Sequence, residues 1–266
     1  MNIKETKKDA KLKLSGKWPK VFMINLIYLA IMLALQYGVQ TLLVIFKNVP
    51  IAKLTLSLIS LAVTLPLSYG IISTLIDISR DKAVKYTDFI NKTILNFSKV
   101  WAVAFKIFLK LIIPITICFV VFFVFIFICA AKFGITDETL ITYEYIIATA
   151  YIIIMTIFFV KFLPYALSFM VLADNPNMPA KDIILKSASL MQNKKFEYFL
   201  LCLSFIGWIF VIAIIAFFAN IIIKSPIIIE IIVDIGILIL SPYIITSQIT
   251  YYENINSEIE ENKEKE

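Results

Sequence analysis

Residues 151–171 read YIIIMTIFFVKFLPYALSFMV, residues 172–196 read LADNPNMPAKDIILKSASLMQNKKF, and residues 197–223 read EYFLLCLSFIGWIFVIAIIAFFANIII. Each apolar run reaches the about 20 residues a helix needs to cross a bilayer. The charged segment between them is two-faced. Ile183, Ile184, Ser187, Leu190 and Met191 fall on one helical face, and Asp182, Lys186, Ser189 and Asn193 fall on the other. Pro179 suits the first turn of such a helix. The segment reads as a short amphipathic helix lying in the membrane interface, apolar side down and lysines toward headgroups. A helix packed on the neighbouring loops is the other reading.

The pattern recurs along the chain. Six spans are expected at about 21–46, 54–77, 101–131, 145–172, 197–223 and 226–252. Short amphipathic helices are expected at about 3–18, 87–99 and 179–193, the second with Thr87 as N-cap. Continuous apolar runs of this length exclude barrel strands, which alternate. The fold class is therefore all-α: a polytopic membrane protein of six transmembrane helices, arranged as three pairs, each pair preceded by an amphipathic interfacial helix. Residues 1–252 form one membrane domain, and 253–266 read as an acidic, disordered tail. The first apolar run reads as a retained span, since no small-residue cleavage motif follows it.

Composition agrees. The chain is 61% hydrophobic, against about 45–50% in soluble domains. It contains no histidine, which removes His-based acid–base chemistry, His metal sites and Ser-His-Asp triads. Cys118, Cys129 and Cys202 lie inside apolar runs without metal-ligand spacing. No catalytic, cofactor-binding or metal-binding set is expected. The net charge of +6 sits beside apolar runs, which favours anionic headgroups as partners over nucleic acid. Eighteen Lys or Arg residues fall in the segments 1–20, 80–99, 173–195 and after 252; the opposite loops hold Lys47, Lys53, Lys132 and Lys224. That bias places both termini in the cytoplasm.

The returning spans share a motif: LPLSYGIISTLID from Leu65, LPYALSFMVLAD from Leu163 and SPYIITSQITYYE from Ser241. Pro66, Pro164 and Pro242 precede Asp77, Asp174 and Glu253 by ten or eleven residues, which suggests three copies of one unit. An internal proline frees a backbone carbonyl, and a neighbouring helix must then satisfy it.

Charges inside the membrane are functional candidates by default. Glu230 and Asp234 lie four apart, on one face of span six, and Lys161 lies in span four. An Asp234–Lys161 ion pair is the sharpest expectation, with placement at the outer interface the alternative for Glu230. Gln36 and Gln40 share a face of span one and read as interhelical hydrogen-bonding groups.

Three stretches carry a family likeness: LADNP with LKSASLMQNKKFEYFLLCLSFIGW, the early LKLSGKWPKVFMINLIYL, and the late SPYIITSQITYYENI. They resemble the bacterial integral membrane proteins grouped as domain of unknown function 975. Ala188 stands where that family commonly has a basic residue. The resemblance implies six helices and a bacterial plasma-membrane location, and it supplies no catalytic residues. More remotely, the chain resembles the membrane region attached to some glycerophosphodiester phosphodiesterases, without their catalytic domain.

Three functions are compatible with these features. The first is a non-enzymatic scaffold that organises lipids or a protein partner. The second is a transporter- or channel-like protein for a small solute or membrane-active peptide, with Glu230, Asp234 and Lys161 lining the route. The third is an intramembrane enzyme using Glu230 and Asp234, which lacks a nucleophile or metal ligand beside them.

Overall fold

The apolar runs become helices because a helix satisfies every backbone N–H and C=O within its own segment, as lipid requires. The structure is a computed structural model that describes residues 2–46, 49, 51–134 and 137–264, with backbone alone at 133, 137–140, 226, 227 and 262–264. Among these residues there are eleven α-helices and no strand. They are α1 (Ile3–Leu14), α2 (Trp18–Ile45), α3 (Ala52–Ser79), α4 (Asp88–Leu95), α5 (Phe97–Phe133) and α6 (Asp137–Phe162). A 3-10 turn at Leu163–Tyr165 precedes α7 (Ser168–Asp174), α8 (Ala180–Leu190), α9 (Lys195–Leu203), α10 (Ile206–Ile223) and α11 (Pro226–Glu264). Six stretches are long and apolar enough to cross a membrane. The architecture is that of a multi-pass membrane protein. Lys47 and Lys265, both in the loop-charge count, lie outside the described residues, as does the side chain of Lys263.

Sequential spans are neighbours: α2 packs on α3, α5 on α6, and α10 on α11. The returning helix α3 packs against both α7 and α11. Each short helix lies on a returning helix, α4 on α3 and α8 on α7, while α1 lies on α11. The N-terminal helix thus takes at the last returning helix the place that α4 and α8 take at the first two. Burial concentrates at this end of the molecule, where Tyr69, Leu75, Leu167, Leu172, Tyr251 and Tyr252 are all enclosed. Toward the other end the spans present apolar side chains outward, Phe127 at 74% exposed and Ile222 at 80%. Such a surface is stable only against hydrocarbon.

Three expectations are corrected by this packing. The apolar faces of the short helices do not lie wholly on lipid. Phe89 of α4, Ile183, Ile184 and Leu190 of α8 and its C-cap Met191 are buried inside the protein against the returning helices, whereas Ile94 of α4 stays 67% exposed. Thr87 does occupy the N-cap of α4, but its side chain makes no capping bond; Asp88 instead accepts from the Lys85 N–H at 2.8 Å. The acidic tail is not disordered through Glu264. α11 continues to that residue, held on its inner side by Tyr251, Tyr252 and Ile255.

Two spans are interrupted. Pro164 lacks the N–H that would continue α6, and the chain passes through the 3-10 turn before α7 resumes. Span five breaks between α9 and α10, where the Ser204 hydroxyl turns back to the Leu201 carbonyl at 2.7 Å. Helix continues unbroken through Pro66 and Pro242. At Pro66 the carbonyl left without a partner is that of Ala62, and the Trp101 indole N–H of α5 donates to it at 3.3 Å.

The α3–α4 crossing is close. A Cβ on Gly70 would stand 2.2 Å from Thr93 Oγ1 and 2.3 Å from the Phe89 carbonyl oxygen. The missing side chain lets Thr93 reach the Pro66 carbonyl at 3.2 Å. Ser187 of α8 makes the corresponding bond to the Pro164 carbonyl at 2.9 Å. A motif proline's carbonyl, gripped by a hydroxyl from the following short helix, thus recurs at Pro66 and Pro164. In α1 the buried small residues are Thr6 and Ala10, and there the Tyr243 hydroxyl donates to the Lys7 carbonyl at 3.3 Å.

Candidate functional site

The returning helices carry Asp77, Asp174 and Glu253 at their basic end, and the folded chain gathers polar partners around each. Arg80, at the C-cap of α3, forks across the other two returning helices. Its Nη1 and Nη2 donate to the Asp174 carboxylate at 2.6 and 3.0 Å. Its Nε donates to Glu253 Oε1 at 2.8 Å. Lys13 of α1 binds the other oxygen of Glu253, and the Tyr252 hydroxyl donates to Asp174 at 2.9 Å. Asp77 is held by Lys82 at 2.9 Å and by Lys92 of α4. Lys17 donates to the Ile78 carbonyl at 2.7 Å. One cation therefore ties together the ends of three spans.

The planar guanidinium suits this task, because its five donors serve two carboxylates at once. The hydrogen bond to Asp174 is the main reason the Arg80 guanidinium is pushed above its ordinary range. The side chains of Arg80, Asp174 and Glu253 are 33%, 22% and 20% exposed. They are too enclosed for the near-zero value of a surface pair and too wet for a deep-buried one. Each charge-assisted bond here contributes on the order of 1–2 kcal/mol. The site is saturated with its own partners, so its chemistry is that of a clamp.

The family described as "Protein of unknown function (DUF975)" matches residues 1–259. The chain belongs to that family. No curated protein and no solved structure matches it. In this DUF975 member, all three motif carboxylates lie in or beside the clamp, and the three prolines lie in the returning helices leading to them.

The intramembrane polar residues form a second, smaller cluster. Gln36 Nε2 donates to Glu230 Oε1 at 3.1 Å, and the Tyr37 hydroxyl donates to Glu230 Oε2 at 3.3 Å. These bonds join α2 to α11. Gln40, one turn further along α2, makes no side-chain hydrogen bond among the described residues. Asp234 lies one turn beyond Glu230 and is half-buried. The expected Asp234–Lys161 pair does not form. Lys161 is exposed on α6, and α6 packs on α5 and the 3-10 turn, away from α11. Among the described residues no group of three or more His, Cys, Asp or Glu is placed to hold a metal.

Sequence reasoning missed Arg80, Tyr252, Lys13, Lys92 and Trp101. One signal for Arg80 was present: it is the only arginine among 25 basic residues. An otherwise all-lysine chain has physical reason to keep one arginine only where a fork is needed.

Proposed function

We propose that this is a non-enzymatic, multi-pass protein of the bacterial plasma membrane that organises anionic lipids or a protein partner through its basic end. Both termini lie on the cytoplasmic side. The observation that carries this reading is a division among the basic residues. Those facing inward, Lys13, Lys17, Arg80 and Lys92, are paired with the chain's own carboxylates, as is the more exposed Lys82. Those facing outward, Lys4, Lys8, Lys11, Lys181 and Lys195, are exposed with no ion pair among the described residues. Each is worth about 1 kcal/mol beside an anionic leaflet. Exposed apolar side chains stand among them, Leu12 on α1, Leu185 on α8 and Phe196 on α9. Cation and apolar anchor side by side are what a headgroup boundary binds.

The test is lipid composition around the purified protein. Replacing Lys181 and Lys186 of α8 by Gln is expected to lower the co-purifying phosphatidylglycerol relative to phosphatidylethanolamine. An unchanged ratio overturns the reading. Topology is checked by thiol labelling of Ser189→Cys in a cysteine-free background, which is expected to react only from the cytoplasmic side.

A transporter- or channel-like role is the second reading. The interrupted spans at Pro164 and Ser204 favour it, since broken helices line many transport sites. For that role, Glu230→Gln and Asp234→Asn abolish solute or peptide passage while leaving lipid preference intact.

A further inference from the structure

We infer that the groove between α6 and α9 is a binding site for one anionic glycerophospholipid, its phosphate at Lys195 and one acyl chain laid along α6. This rests on the basic-end reading and names its ligand and place. The three seams between helix pairs differ. α2 packs on α11 and α5 on α3, whereas α9 meets the second pair through the 3-10 turn. Above that turn the third seam opens into a cavity of about 700 Å³, within the roughly 300–1,000 Å³ range of built ligand pockets.

Its lining is ordered along the membrane normal. Lys195 and Phe196 stand at the mouth, beside the outward lysines. Phe159 and Phe199, in edge contact at 5.7 Å, form the neck. Beyond them the wall is α6 alone, from Thr156 to Tyr151. Leu163 to Tyr151 is twelve residue steps, about 18 Å at 1.5 Å per step. One leaflet of hydrocarbon is about half of 30 Å, so the groove has the length of one acyl chain.

The charge supports the same occupant. Lys195 is the single cation in the lining, is exposed, and has no carboxylate or hydrogen-bond partner among the described residues. On the other side of α6, the equally large groove between α5 and α6 has no charged residue in its wall among the described residues. Both grooves accept hydrocarbon, and among the described residues the first alone ends in a free ammonium at headgroup level. A phosphodiester there neutralises the charge while its tail covers Phe159 and Phe199.

The test uses the full chain in nanodiscs of equal phosphatidylglycerol and phosphatidylcholine, with retained lipid read by native mass spectrometry. The wild type is expected to keep one phosphatidylglycerol per chain. Lys195→Gln is expected to lower that retention about fivefold, the factor corresponding to about 1 kcal/mol per lysine. Lys195→Arg is expected to preserve it. Thr156→Trp, at an exposed wall position, is expected to lower retention with the charge intact. Equal retention of both lipids by the wild type, or unchanged retention in Lys195→Gln, overturns the inference. The α8 lysine variants separate it from the broader reading. If they lose anionic preference while Lys195→Gln does not, the groove falls and the basic-end reading stands; the reverse pattern keeps the groove alone.

Discussion

Arg80 and Asp174 meet through two parallel hydrogen bonds of 2.6 and 3.0 Å, although 94 residues separate them. The same guanidinium holds Glu253. Lysine keeps the charge but presents one ammonium where three directed N–H groups now act. Arg80→Lys is therefore expected to lower the thermal unfolding midpoint in detergent. Arg80→Ala is expected to cost more, about 2–3 kcal/mol, because two carboxylates then lose their partner. An Arg80→Lys variant with wild-type stability refutes the clamp.

The Gly70 crossing makes a sharper claim. Gly70→Ala places a methyl against the Phe89 backbone and the Thr93 side chain, an overpacking penalty of about 1–3 kcal/mol or more. Thr93→Ala removes only one of those two obstacles, so the double variant is expected to remain destabilised. Full recovery shows that the helices can separate without cost.

Trp101 and Pro66 are coupled through the Ala62 carbonyl. Trp101→Phe is expected to cost about 1 kcal/mol for the lost hydrogen bond, besides the smaller ring. Pro66→Ala restores an N–H able to take that carbonyl. The cost of Trp101→Phe is expected to be smaller in the Pro66→Ala background. Strict additivity in this double-mutant cycle means that the indole bond is unimportant.

The intramembrane polar residues give opposite expectations. Gln36→Leu and Glu230→Gln are expected to be non-additive by about 0.5–1 kcal/mol, since their side chains bond directly. Lys161→Ala and Asp234→Asn are expected to be additive in stability, since α6 and α11 do not bring them together. Coupling between that second pair disproves the arrangement described.

The last helix is anchored beyond the membrane by Lys194 and Glu258 at 2.9 Å. The hydrogen bond to Glu258 raises the Lys194 ammonium above its ordinary value of 10.5. A raised basic group stabilises fully below its unfolded value, so this contribution is flat through neutral pH and declines only as pH climbs past that range. Glu258→Gln is expected to speed amide exchange in residues 254–261 at pH 7 and to leave the spans unchanged.

The sequence alone determined six spans, their order and the recurring proline–carboxylate motif. Length and apolarity force helices in lipid, and a repeat is visible wherever its spacing is kept. It also placed Asp77, Asp174 and Glu253 at equivalent depth. Only the tertiary structure decided their partners. Arg80 lies just past the first returning helix, and nothing local in SRDK announces a bond to residues 174 and 253. Tertiary packing likewise turned part of the short helices' apolar faces inward, because periodicity marks an apolar face without saying whether lipid or protein covers it. It separated Lys161 from Asp234 for a related reason. Depth along a helix follows from counting residues, whereas which helices are neighbours depends on how side chains interlock across the whole bundle.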